Sequence, residues 1–175
     1  MKLLDKRKKR KYVDRIQVYP SKNIKNMQYY IYMDSAVSDD LLNALENETN
    51  SPIMNLTTRK IKEHKNTALQ QLQIKGSTLK KFHKKLKGYR YVRGMHDLQF
   101  GYYIRWIPLK DPEKIYLTNG GHICDIKIIN KQIQILCKNS CHRLFHIKFD
   151  ESVIFQRITP QEAVILQILD YLDPT

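Results

Sequence analysis

The sequence predicts an α+β fold, with N-terminal helices and a basic arm followed by a small antiparallel β-barrel or meander with a C-terminal helix. Three observations carry this. Apolar residues recur with a helical period between residues 51 and 87. They alternate with a period of two after residue 100. A capping box at Thr159-Pro160-Gln161-Glu162 then opens a last apolar stretch of helical period. With 175 residues and 42% hydrophobic content the chain can fill a core, which excludes wholesale disorder. No apolar run approaches the roughly 18 residues of a membrane span, so none is expected. Met1-Lys2-Leu3-Leu4 runs straight into charge, so a secretory leader is not expected either.

Charge divides the chain. Lys and Arg number 31 against 17 Asp and Glu, a net charge of +14. Residues 1–26 hold ten cations and two acids, whereas residues 27–50 hold five acids and no Lys or Arg. Residues 51–100 hold twelve cations and two acids, and residues 101–175 are nearly neutral with nine and eight. The expected organisation is a basic arm at 1–26, a helical basic region at 27–100, and a barrel-like domain with its capping helix at 101–175.

In chain order, the tract Lys6-Arg7-Lys8-Lys9-Arg10-Lys11 repels itself and buries no face, so a disordered arm is expected there. Tyr29-Tyr30-Ile31-Tyr32-Met33 is strand-like in composition. Ser38 can cap a short acidic helix running to about Glu48. Ser51-Pro52 reads as a second start, with Ile53, Leu56, Ile61, Ala68, Leu69 and Leu72 as its apolar face to about Ile74. A third helix, capped by Ser77, carries Leu79, Phe82 and Leu86 and stops at Gly88. Strands are expected at 101–107, 114–118, 122–129, 132–138, 142–149 and 153–158, separated by Pro, Asn-Gly-Gly, Asn-Lys and Asp-Glu-Ser breaks. The last helix offers Val164, Ile165, Ile168 and Leu169 to plug the sheet.

His122, Cys124, Cys137, Cys141 and His142 have the chemistry of a zinc set. A two-residue turn at Asn130-Lys131 argues for another reading. It pairs Ile128 with Ile133, Ile126 with Ile135, and Cys124 with Cys137, all on one face, opposite Asp125, Lys127, Gln132 and Gln134. The two thiols then read as small core hydrophobes, reduced in a chain with three Cys, and no metal site is expected.

Enzyme signatures are missing: no nucleophile elbow, Walker loop, H-E-x-x-H or strand-anchored G-x-G-x-x-G. Asn119-Gly120-Gly121 fits a turn needing positive φ. His96-Asp97 beside Gly94 has no nucleophile or metal ligand near it in sequence, and a turn explains it. A non-enzymatic protein with no cofactor and no small-molecule substrate is the expectation.

Three basic modules point to a polyanion. The tract Lys6 to Lys11 fits a phosphate-contacting arm, a nuclear-localisation signal or a solubilising tail. Lys80, Lys81, Lys84 and Lys85 surround an apolar stripe, which leaves them free to meet phosphates or simply solvent. Tyr89, Arg90, Tyr91 and Arg93 interleave aromatic and basic groups between Gly88 and Gly94, a composition suited to stacking on bases, and equally to an edge strand. With Tyr102, Ile104 and Trp106 turned to the core, Tyr103 and Arg105 project outward and extend that surface.

Gly101-Tyr102-Tyr103-Ile104-Arg105-Trp106, Leu117-Thr118-Asn119-Gly120-Gly121 and Phe145-His146-Ile147-Lys148-Phe149 give the last 80 or so residues a turn and strand pattern. In that pattern the chain resembles small uncharacterised virion or factory proteins of large nucleocytoplasmic DNA viruses. The resemblance implies a virion or viral-factory protein and carries over no functional residue. Together these readings predict an intracellular assembly protein of the nucleus, viral factory or virion that binds nucleic acid, DNA or RNA. The alternative is a minor capsid or scaffold protein whose arm binds acidic neighbouring subunits.

Overall fold

The structure, a computed structural model, describes residues 43–172. The tract Lys6 to Lys11, the strand-like Tyr29 to Met33 and the start of the acidic helix lie outside the described residues. The described residues fall within one compact unit.

Residues 43–46 are helical, and a 3-10 turn follows at Glu48–Ile53, capped by the Asn47 side chain. Pro52 sits inside that turn and does not open the next helix. Helix α1, Thr58–Gln70, begins six residues later, where extended Thr57 accepts from Lys60 N through its side chain. The Asp170 carboxylate also accepts from Thr58 N at 2.7 Å, an anion at the positive end of the helix. Helix α2, Gly76–Lys85, has no side-chain cap, so Ser77 lies inside it. The helix ends at Lys85 with Leu86 as its C-cap, two residues short of the expected stop, and Gly88, at φ +75, turns the chain into strand β1, Tyr89–Tyr91.

The remaining strands are β2 Tyr103–Pro108, β3 Gly121–Ile129, β4 Gln132–Lys138, β5 Leu144–Lys148 and β6 Ser152–Arg157, followed by helix α3, Pro160–Leu172. They form one antiparallel sheet of order β1-β6-β2-β3-β4-β5. It is strongly rolled. Trp106 on β2 stacks on Phe145 of β5 at 5.2 Å, although two strands lie between them and a flat sheet would hold them about 14 Å apart. The roll does not close into a barrel. β1 and β5 remain as edges with no ladder between them, and the 3-10 turn Phe149–Glu151 carries the chain from β5 to β6.

The concave face holds Ile104, Ile123, Ile135, Cys137, Ile147 and Ile154, joined by Val92 and Leu98 from the segment after β1. On the convex face, Leu69, Phe82 and Leu86 of the α1–α2 region pack on Tyr89, Ile107 and Phe155. Helix α3 does not plug the sheet. Its Ile165 and Leu166 pack with Ala44, Ile53, Leu56 and Ile61, a cluster built without a strand residue. No strand forms at 114–118. Thr118 instead satisfies Trp106 from the loop: its hydroxyl accepts from Trp106 N at 3.1 Å, and its own N–H donates to Trp106 O at 3.0 Å.

The hairpin β3–β4 turns at Asn130-Lys131, both at positive φ, as a tight two-residue turn demands. Ile126 faces Ile135 and Ile128 faces Ile133, as the sequence predicts. A bulge between Ile123 and Asp125 then shifts the register, so Cys137 pairs with Ile123 and Cys124 is expelled to solvent. Ile128 is 64% exposed because the hairpin tip runs past the rolled core.

Burial, with a smaller contribution from Cys124, pushes the Cys137 thiol up to about 12, far from ionising at neutral pH. In native buffer at pH 8 a thiol reagent should therefore label Cys124 and Cys141 rapidly and Cys137 only on unfolding. Three fast thiols would contradict the buried position of Cys137, and a protected Cys124 would contradict the bulge.

Candidate nucleic-acid interface

The twelve cations of residues 51–100 separate into two populations. Lys65 and Arg90 are buried, and the other ten are exposed. Only one acid of that segment, Glu63, shares the exterior with them, since Asp97 is buried.

Arg90 leaves the phosphate-facing set altogether. It is 1% exposed on the concave side of β1, beside Gln156 of β6. Its Nε lies 3.5 Å from Glu162 and its Nη1 3.9 Å from Asp97, while Nη2 donates to Asp97 O at 2.8 Å. With the Gln156 amide oxygen turned toward it, that oxygen also accepts from Nη2 at 2.8 Å. Asp97 Oδ2 accepts from Arg93 N, closing the turn after β1. Glu162 Oε2 accepts from Thr159 N at 2.8 Å, and Glu162 N donates to Thr159 Oγ1 at 3.1 Å, the capping box the sequence predicts. Burial pushes the Glu162 carboxyl up, and its bonds to Thr159 and the Arg90 charge pull against that. Exposed His96 leans on Asp97 at 3.6 Å.

Tyr89 and Tyr91 are also committed to packing. Tyr89 is buried in the convex-face cluster, and Tyr91 lies against Phe155 with ring centroids 6.0 Å apart. The edge-strand explanation of this segment therefore accounts for three of its four residues, and Arg93 alone is exposed.

Lys80, Lys81, Lys84 and Lys85 are all exposed on α2. Its inward stripe is Leu79, Phe82 and Leu86, so the 100° helical step puts Lys80, Lys81 and Lys84 on the opposite arc. Two further cations hold the end of this helix. Lys65 Nζ donates to Leu86 O at 2.9 Å and to Tyr89 O at 3.3 Å, and Arg105 Nη1 donates to Lys85 O at 3.3 Å. Both sit at the negative end of the helix dipole. Burial, then the charge of Lys62, lowers the Lys65 pKa. Lys65 was not legible as a structural cation, because its position on the apolar face of α1 is the only sign of it.

Tyr103 and Arg105 lie on the convex face, opposite Ile104 and Trp106, as alternation predicts, but both are half-buried there, Tyr103 against the convex-face cluster, and do not project freely. The Arg105 guanidinium stands 5.6 Å from the Tyr89 ring centroid, a cation–π contact. Tyr103 donates its hydroxyl proton to Asn119 O at 2.8 Å and meets His122 edge to face at 5.0 Å. Three residues absent from the sequence-based set stand beside them. His122 pairs with Tyr103, and Lys138 pairs with His122 across the bulged hairpin. Arg157 follows Gln156, the partner of Ile104, and so continues that register alongside Tyr103. All three are exposed. An unbulged hairpin would have turned His122 to the core.

His122, Cys124, Cys137, Cys141 and His142 are spread over the hairpin and the next turn, and among the described residues no three His, Cys, Asp or Glu converge on a metal position. No helix among them is long and apolar enough to cross a membrane. The chain matches no family model, no curated protein and no solved structure.

Gly120 shapes this surface. At φ +102 it sits where a Cβ would run into Ile104 O and come within 2.7 Å of Tyr103 Cε1. Gly120→Ala should lower stability by about 1–3 kcal/mol in urea denaturation, and an unchanged midpoint would contradict this packing.

Proposed function

We propose that the protein is a non-enzymatic, polyanion-binding assembly protein, with nucleic acid as the polyanion. The observation that carries this reading is the exterior of residues 51–100, ten exposed cations against one exposed acid. Four of those cations ride on one short helix whose apolar side is fixed to the sheet. A surface so unbalanced repels itself in the free protein and gains by meeting dense phosphate, which releases counterions as the cations replace them. The structural cations Lys65 and Arg105 support α2 from within and leave its lysines to solvent. In a large DNA virus particle or factory, the setting the resemblance implies, such a protein would package or organise nucleic acid.

Binding of the full chain to labelled DNA and RNA should weaken steeply with salt. Each phosphate contact contributes roughly −0.7 to −0.9 to the log–log slope. Replacing Lys80, Lys81, Lys84 and Lys85 together by Ala should flatten the slope by about 2 to 4 and leave the melting temperature nearly unchanged. No retention on either nucleic acid at low salt would overturn the reading and favour acidic protein neighbours as the partner.

A further inference from the structure

Resting on that reading, we infer that the ligand is single-stranded, and that it crosses the convex end of the sheet along the row Arg157, Tyr103, His122, Lys138. The row is set by backbone register. Tyr103 faces His122 and His122 faces Lys138, while Arg157 continues the ladder in which Ile104 faces Gln156. Residues opposed across neighbouring strands share a face, so these four side chains stand side by side on one surface. From Arg157 to Lys138 is three strand spacings, about 14 Å.

The chemistry along the row is a cation, two aromatic rings and a cation. Among the described residues neither Arg157 nor Lys138 is ion-paired. On the same face Lys127 and Lys148 are held at 2.8 and 2.7 Å by Asp125 and Glu151. Arg105, also on this face, makes no ion pair but is engaged by Lys85 O and the Tyr89 ring, which leaves Arg157 and Lys138 flanking the rings. Both rings are oriented in advance: Tyr103 by its bond to Asn119 O and its contact with Gly120, and His122 by Nδ1 donating to Gly101 O at 3.0 Å.

A pre-oriented aromatic pair between two phosphate-binding cations suits an unpaired base stacked between its own phosphates. A duplex offers no free base face to such a pair, and a base-free polyanion offers none at all. Arg105, two residues along β2 from Tyr103 on the same face, contacts Lys85 O and links the row to the lysines of α2. Phosphates beyond the row would be met there, so the row selects the ligand and the helix adds to its hold.

The test compares four ligands on the full chain by fluorescence anisotropy or competition at one salt concentration. They are single-stranded DNA, single-stranded RNA, a duplex of the same length, and inorganic polyphosphate. Single strands should bind about tenfold or more tightly than duplex or polyphosphate. His122→Ala, at an exposed position, should reduce single-strand affinity severalfold and leave polyphosphate affinity unchanged, whereas Lys138→Ala should weaken both. The preference between the DNA and RNA strands identifies the source. If all four ligands bind alike and His122→Ala changes nothing, the row is refuted and polyanion binding stands. If none binds at low salt, both fall.

Discussion

A guanidinium with 1% exposure is costly to bury, and the way Arg90 is accommodated constrains most of the fold. Its partners come from three places in the chain: Asp97 in the turn after β1, Gln156 on β6 and Glu162 in the first turn of α3. Glu162 caps its own helix with one carboxylate oxygen and faces Arg90 with the other. The start of α3, the pairing of β1 with β6 and the turn at 94–97 are thus tied to one charge. Arg90 Nε and Nη1 face Glu162 and Asp97 by charge at 3.5 and 3.9 Å and not by hydrogen bonds, so the buried ion relies on all three elements staying close.

The same division between inward and outward cations organises the surface. Lys65 and Arg105 are spent on the carbonyls at the end of α2, where their charge opposes the helix dipole. With that end satisfied from within, α2 lies on the convex face through Leu79, Phe82 and Leu86 and presents lysines outward. Rolling the sheet around Ile104, Ile135 and Ile154 leaves the outer ends of β6, β2, β3 and β4 side by side in solvent. Basic and aromatic groups at those ends form one surface although they come from four strands.

Much of this architecture is legible in the sequence, for physical reasons. Period-two alternation located five of the six strands, the Asn130-Lys131 turn fixed the outer half of the hairpin, and Thr159 with Glu162 marked the start of α3. Features set by tertiary contact were hidden. The bulge at Cys124 leaves no local signal, yet it turns His122 outward and moves Lys138 beside it. Arg90 read as a surface cation because alternation between two tyrosines cannot tell which face of an edge strand is covered. The covering groups, Asp97 and Glu162, lie 7 and 72 residues further on. Pro52 looked like a helix start and serves a 3-10 turn, because Asn47 supplies a cap ten residues before Thr57, the α1 cap. Of the candidate site, the α2 lysines with Tyr103 and Arg105 were legible, and Arg157, His122 and Lys138 were not.

The central claim is that Arg90 is a structural ion and the exposed cations are not. Urea denaturation of Arg90→Met, with exposed Arg93→Met as its reference, tests this most directly. Removing Arg90 strands the buried carboxylates of Asp97 and Glu162, so a loss of about 3–5 kcal/mol is expected, against less than about 0.5 for Arg93→Met. A loss at Arg90 no larger than that at Arg93 would contradict the account.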